Sequence, residues 1–156
     1  MVEIVQKRRL MDAVAAVRLA QKRREREVSL AQLKELAAQA QPARNIAHTL
    51  ASQERPVQII AEVKTASATF VSLGQVPAAA TLARTYVAAG ASVISVVTQV
   101  GGYRGSIKQL DAVAKAVDAP IIVNDLPVTT YQIHEARAHG ADGITFTMQA
   151  QSEIAL

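Results

Sequence analysis

Two periodicities divide the chain. In the first third, apolar positions recur at helical spacing; beyond residue 56, short continuous apolar runs alternate with helical stretches. Residues 3–27 read as one helix, with Leu10, Val14 and Val17 on one side. Ser29 is placed to N-cap a second helix, Leu30 to Ala40, whose Leu30, Leu33 and Leu36 share a face. Gln41-Pro42 ends it. Asn45 to Ser52 predicts a short helical turn, and Arg55-Pro56 leads into a first strand.

A rhythm begins there. Strand Val57–Val63 is followed by a polar loop and a helix from just after Pro77 to Ala89, with Gly90 as its C′ glycine. Strand Ser92–Thr98 is β-branched apart from its serines. A loop holding Gly101, Gly102 and Gly105 leads to a helix over Ser106–Val117, N-capped by Ser106. Strand Pro120–Asn124, helix Thr129–Ala138, a closing Gly140 and strand Gly143–Thr147 complete the pattern, and Ser152 to Leu156 read as the first turn of a further helix. Ala89-Gly90-Ala91 and His139-Gly140-Ala141 occupy the same place in successive units. Strands alternating with helices of this length predict right-handed βαβ units and a parallel sheet. Continuous rather than alternating apolar runs predict strands buried on both faces. The expected fold class is therefore α/β: a helical extension over 1–55, then about four parallel strands over 56–156, the first half of a (β/α)₈ barrel, which in full takes roughly 250 residues.

Charge changes the picture only at the N-terminus. Residues 1–34 hold nine Lys/Arg against four Asp/Glu, whereas residues 35–156 hold eight against nine. The basic run Lys22-Arg23-Arg24-Glu25-Arg26-Glu27 could attract nucleic acid or an acidic partner, but it reads better as a solvated helix face. It contains no aromatic side chain to stack on bases, so a nucleic-acid partner is not expected. With no cysteine, a disulfide scaffold and a thiolate zinc site are excluded. That composition fits a cytoplasmic location. No apolar stretch is long enough to span a bilayer, and Asp12 and Arg18 interrupt what would be the apolar core of a leader segment. His48, His134 and His139 lack metal-ligand spacing. Gly101-Gly102-Tyr103-Arg104-Gly105 fits neither a dinucleotide fingerprint nor a phosphate loop.

The candidate chemistry begins at Lys64, which ends the run Val57-Gln58-Ile59-Ile60-Ala61-Glu62-Val63. An unpaired ammonium is costly inside a sheet but not at the C-terminal end of a parallel strand, where such sheets bind ligands. Glu62 is two residues earlier and shares its face. The pair reads as a wall of an active site or, more plainly, as a structural ion pair at a strand end. Thr98-Gln99, Asn124-Asp125, Thr145 and Thr147 gather at the corresponding ends of the later strands.

Several of these segments resemble one family. Ile60-Ala61-Glu62-Val63-Lys64-Thr65-Ala66-Ser67 is similar to the first-strand signature of indole-3-glycerol phosphate synthase. Ser95-Val96-Val97-Thr98 with Gly105-Ser106 resembles its second strand and the loop after it. Tyr131 to Arg137 with Gly140-Ala141-Asp142 resembles its third helix and the approach to strand four, and Ser29 to Leu50 resembles its helical extension. The resemblance implies a carboxy-lyase reaction of tryptophan synthesis: ring closure of a carboxyphenylamino-deoxyribulose phosphate with loss of carbon dioxide and water. It implies a phosphorylated small-molecule substrate, no cofactor and no metal. It also implies roles. Lys64 would meet the substrate carboxylate and assist acid catalysis, Glu62 would be the neighbouring carboxylate, and Ser67 would help hold the phosphate.

The chain departs from the family pattern in three places. Where the third strand of the family ends in Lys-Asp-Phe, with the lysine as principal general acid, this sequence has Asn124-Asp125-Leu126. Asn124 can hydrogen-bond but cannot act as that acid, and Leu126 replaces the aromatic wall of the substrate-ring pocket. Ala68-Thr69-Phe70-Val71 replaces a Pro-Ser-Lys-Gly loop. The family's strand-five glutamate base, a later asparagine and the phosphate grip near strands seven and eight have no counterpart among these residues. The expectation is thus a synthase-like half-site, inactive alone, completed by a C-terminal half-barrel or by self-association. A non-catalytic interaction module and a different phosphate-binding barrel activity are the alternatives.

Overall fold

The computed structural model describes residues 2–52, 56–67, 73–100 and 103–150. Arg55, Ala68 to Val71, Gly101, Gly102 and Ser152 to Leu156, all named above, lie outside the described residues. Among the described residues, six helices and four strands follow in order: α1 (Val2–Glu27), α2 (Leu30–Gln39), α3 (Ile46–Ala51), β1 (Ile60–Val63), α4 (Ala79–Ala88), β2 (Val93–Val97), α5 (Ile107–Ala114), β3 (Ile121–Asn124), α6 (Thr130–Ala138) and β4 (Gly143–Ile144), then a 3₁₀ turn at Met148–Ala150. The strands form one sheet in the order β1-β2-β3-β4, all parallel. This is the first half of a (β/α)₈ barrel, preceded by three helices. Among the described residues no helix is long and apolar enough to cross a membrane.

Local chemistry sets the element ends. Ser29 and Gln32 form a reciprocal capping box at the start of α2. Asn45 and Ser106 cap α3 and α5 through their side-chain oxygens. Gly90 and Gly140 close α4 and α6 at φ +98° and +90°, a region that favours glycine.

The core lies between the sheet and helices α4–α6. Val63, Ile94, Val96, Ile121 and Val123 meet Ala83, Leu110, Val113 and Ala136 there. The other face of the sheet carries Glu62, Ser95, Val97 and Asn124, which follows from strand alternation and register. Only β2 is buried along its whole length. The expected two-sided burial fails at β1, where Ile60 is 48% exposed, because β1 is an edge strand with a neighbour on one side only.

Three other expectations shift. The first strand begins at Ile60 rather than Val57. Pro56 has no N–H to offer a ladder, and Gln58 is held by its side chain, which donates to the Ser52 carbonyl at 3.0 Å and accepts from Ser92 Oγ at 2.5 Å. The fourth strand covers Gly143–Ile144 instead of reaching Thr147; Thr145 N still donates to the Val123 carbonyl at 2.9 Å before the chain turns. Helix α5 stops at Ala114, three residues short of Val117; beyond it Ala116 N and Val117 N both donate to the Val113 carbonyl, at 2.9 and 3.2 Å.

The extension is clamped to the barrel at both ends of the sheet. Helix α2 packs on α6, with Leu33 buried. Arg24 of α1 makes a bidentate pair with Glu135 of α6, Nε to Oε1 at 2.7 Å and Nη2 to Oε2 at 3.0 Å. Beside it the Tyr131 hydroxyl donates to the Val28 carbonyl at 3.0 Å. Burial, and secondarily the Glu135 carboxylate, push the Tyr131 pKa above its ordinary value. At the other end, Asp142 holds the α2–α3 connection through the backbone and guanidinium of Arg44, and accepts from Ile121 N at the start of β3. Arg137 adds bonds to the carbonyls of Ala141 and Gln41.

Candidate active site

Glu62, Lys64 and Asn124 meet at the C-terminal end of the sheet. Glu62 and Asn124 belong to strands separated by β2, whose axes in a flat sheet would lie about 9–10 Å apart. The two side chains meet across β2 on their shared face: Asn124 Nδ2 donates to Glu62 Oε2 at 2.7 Å. The other oxygen, Glu62 Oε1, lies 3.4 Å from Lys64 Nζ. The two side chains of this ion pair are 36% and 31% exposed. A pair so open to water adds little stability, so a fold-stabilising role is a weak account of it. The same openness leaves the ammonium within reach of a ligand. His134 and His139 are half-buried; His139 Nδ1 lies 2.8 Å from Asp111 Oδ1. Among the described residues no group of three or more metal-ligating side chains could hold a metal ion.

The surrounding loops hold this cluster. The ring centroid of Tyr103 lies 5.4 Å from Lys64 Nζ, within cation–π range. Thr65, next to Lys64, donates its hydroxyl to the Arg104 carbonyl at 3.4 Å and accepts from Gln109 Nε2 at 3.3 Å. Gly105 is wedged against the end of β2. Its N–H donates to the Gln99 carbonyl at 2.8 Å, and a Cβ there would sit 2.5 Å from the Val97 carbonyl oxygen. On the β3 side, Asp125 accepts from Thr98 Oγ1 and from Leu126 N, both at 2.7 Å. Buried Gln132 donates to the Leu126 carbonyl at 3.2 Å and accepts from Val128 N. The Asn124-Asp125-Leu126 turn is thereby fixed from both sides. Leu126 itself is buried, an apolar side chain outside the polar cluster, and Ser67 is half-buried three residues beyond Lys64. A cavity of about 200 Å³ lies between α1 and these loops, lined by Val17, Arg24, Thr98, Ile107, Asp125 and Gln132; neither Glu62 nor Lys64 faces it.

Carboxylate, ammonium and amide therefore converge at the ligand-binding end of a parallel half-barrel, on the segments singled out by resemblance. The sequence model of the indole-3-glycerol phosphate synthase family matches residues 10–155. The chain belongs to that family. An indole-3-glycerol phosphate synthase of Micrococcus luteus is 42% identical over 151 residues, 94% of this chain and 56% of the relative. One from an Arthrobacter species is 42% identical over 150 residues, 94% of this chain and 55% of the relative. One from a Mycobacterium species is 44% identical over 133 residues, 85% of this chain and 48% of the relative. The chain thus spans about half the length of these curated relatives.

In this indole-3-glycerol phosphate synthase family member, three contributors to the site carry no periodic signal. Tyr103 sits in a glycine-rich loop that matches no phosphate motif, although it is one of only three tyrosines. Asp125 and Gln132 act on backbone groups and on Thr98, contacts that appear only once the strands are in register.

Proposed function

We propose that this chain carries the first half of a synthase active site. That site closes the ring of a carboxyphenylamino-deoxyribulose phosphate: a new carbon–carbon bond forms, and carbon dioxide and water leave. The observation that supports the reading best is the Glu62–Lys64–Asn124 cluster at the C-terminal end of the parallel sheet. Lys64 pairs with the substrate carboxylate and stabilises negative charge as it develops. Glu62 holds Lys64 in place, Asn124 orients Glu62, Ser67 contributes to the phosphate end, and Leu126 and Tyr103 line the ring pocket. Residues 1–55 serve as a helical extension of the barrel unit at 56–156. The reaction is cytoplasmic, and eight strands are completed by a second half-barrel, whether the remaining portion of the family's fold or a second copy.

Asn124 favours one further reading, a non-catalytic module that keeps ligand binding without chemistry. One measurement on this chain bears on both. The purified chain should bind 2-aminobenzoate, a fragment of the substrate's aromatic end, without turning over substrate. Lys64→Ala should weaken that binding about tenfold or more, the scale of a lost charge-assisted contact. Equal binding by Lys64→Ala, followed by calorimetry, would remove Lys64 from the site. Turnover above a Lys64→Ala control would show that the half-site suffices.

A further inference from the structure

We propose that Arg104 is a ligand-binding cation of this site, set to take an oxyanion of the bound molecule; the inference rests on the synthase-like reading of Lys64. Among the described residues, Arg104 is the one non-glycine residue with positive φ, +51°. A left-handed backbone at a residue other than Gly, Asn or Asp is unfavourable and persists where its surroundings impose it. Here they do. Tyr103 on one side faces the Lys64 ammonium, Gly105 on the other is seated on the end of β2, and the Arg104 carbonyl accepts from Thr65. The strained residue is thus tied to both neighbours of the candidate ligand site.

The Arg104 side chain is exposed, and among the described residues no carboxylate lies within ion-pair distance of it. Arg24 and Arg44, by contrast, are paired with Glu135 and Asp142. The charge of the cluster gives such a cation work to do. Glu62 offsets Lys64, and Asn124 adds no charge, so the three groups together are neutral. A ligand bearing a carboxylate and a phosphate meets too little positive charge there. A planar guanidinium presents a donor fork that suits either group.

The two sources are separable. Inorganic phosphate and 2-aminobenzoate are titrated separately into the chain and followed by amide NMR shifts. The set comprises the parent, Arg104→Asn, Arg104→Lys and Lys64→Ala. Asparagine tolerates the left-handed backbone, so the loop is kept while the charge is removed. Arg104→Asn should weaken at least one probe about tenfold, and with a shallower dependence on salt; Arg104→Lys should retain part of that binding. Loss of phosphate assigns Arg104 to the phosphate end, and loss of 2-aminobenzoate assigns it to the carboxylate end. If Arg104→Asn binds both probes as the parent does while Lys64→Ala does not, the proposal fails and the site reading stands. If the parent binds neither probe, both fail.

Discussion

Replacing Asp142 by alanine should destabilise the chain by about 2–3 kcal/mol, the scale for losing a buried charged acceptor and leaving backbone donors unpaired. In thermal unfolding this corresponds to a fall in Tm on the order of 10 °C for a domain of this size. The side chain is 3% exposed. Its Oδ1 accepts from Arg44 N at 2.9 Å, and its Oδ2 accepts from Arg44 Nε at 2.9 Å and from Ile121 N at 2.8 Å, with Arg44 Nη2 at 2.8 Å. Truncation leaves two backbone donors without their acceptor and the guanidinium with only the exposed Asp118 at 3.4 Å, and those donors belong to the α2–α3 connection and the first residue of β3. Asp142→Asn separates charge from shape, since its amide keeps one acceptor but points an NH₂ at existing donors. The fully exposed Asp118 reaches the same guanidinium at 3.4 Å, and Asp118→Ala should leave the urea midpoint unchanged. A loss at Asp142 no greater than at Asp118 would mean that the clamp does not anchor the extension.

That clamp also marks where the sequence stops being readable. The βα rhythm was legible because its determinants are local. Glycines at positions 90 and 140 allow the left-handed closures that end α4 and α6, and a run of Val and Ile makes β2. Glu62 and Lys64 were legible as a pair because alternate residues of a strand share a face. The start of β1 was not. Its limit is set by Gln58 reaching a serine 34 residues away, and nothing near Pro56 encodes that contact. Two-sided burial fails at β1 because an apolar run does not say whether its strand is central or at an edge. Asn124 is legible from the strand rhythm as a polar residue at a strand end, whereas its place opposite the family's acid comes only from the resemblance. Its hydrogen bond to Glu62 reaches across an intervening strand, a contact that residue spacing does not specify. Asp142 and Arg44, 98 residues apart, belong with these: each is an ordinary loop residue until the fold joins them.

The same distinction governs the largest functional effect. Fused to the C-terminal half of the Micrococcus luteus relative, the chain should gain about 10²–10⁴ in synthase rate when Asn124 is replaced by lysine, the range for restoring a positioned general acid. The geometry favours the gain. Asn124 Nδ2 already sits 2.7 Å from Glu62 Oε2, and the turn that follows is fixed by Thr98, Asp125 and Gln132, so a lysine enters a prepared position beside a carboxylate. Asparagine can orient Glu62 but has no proton to give at neutral pH. The change should therefore appear chiefly in kcat, with KM moving little, because a proton donor acts where charge develops in the transition state. Lys64→Ala added to the restored fusion should undo most of the gain, since both ammoniums would work on one carboxylate-held cluster. If Asn124→Lys leaves kcat unchanged in a fusion that folds and binds 2-aminobenzoate, the missing acid is not what limits this half-site. The loss would then lie in the segment after Ser67, where Ala68-Thr69-Phe70-Val71 replaces the family's lysine and glycine.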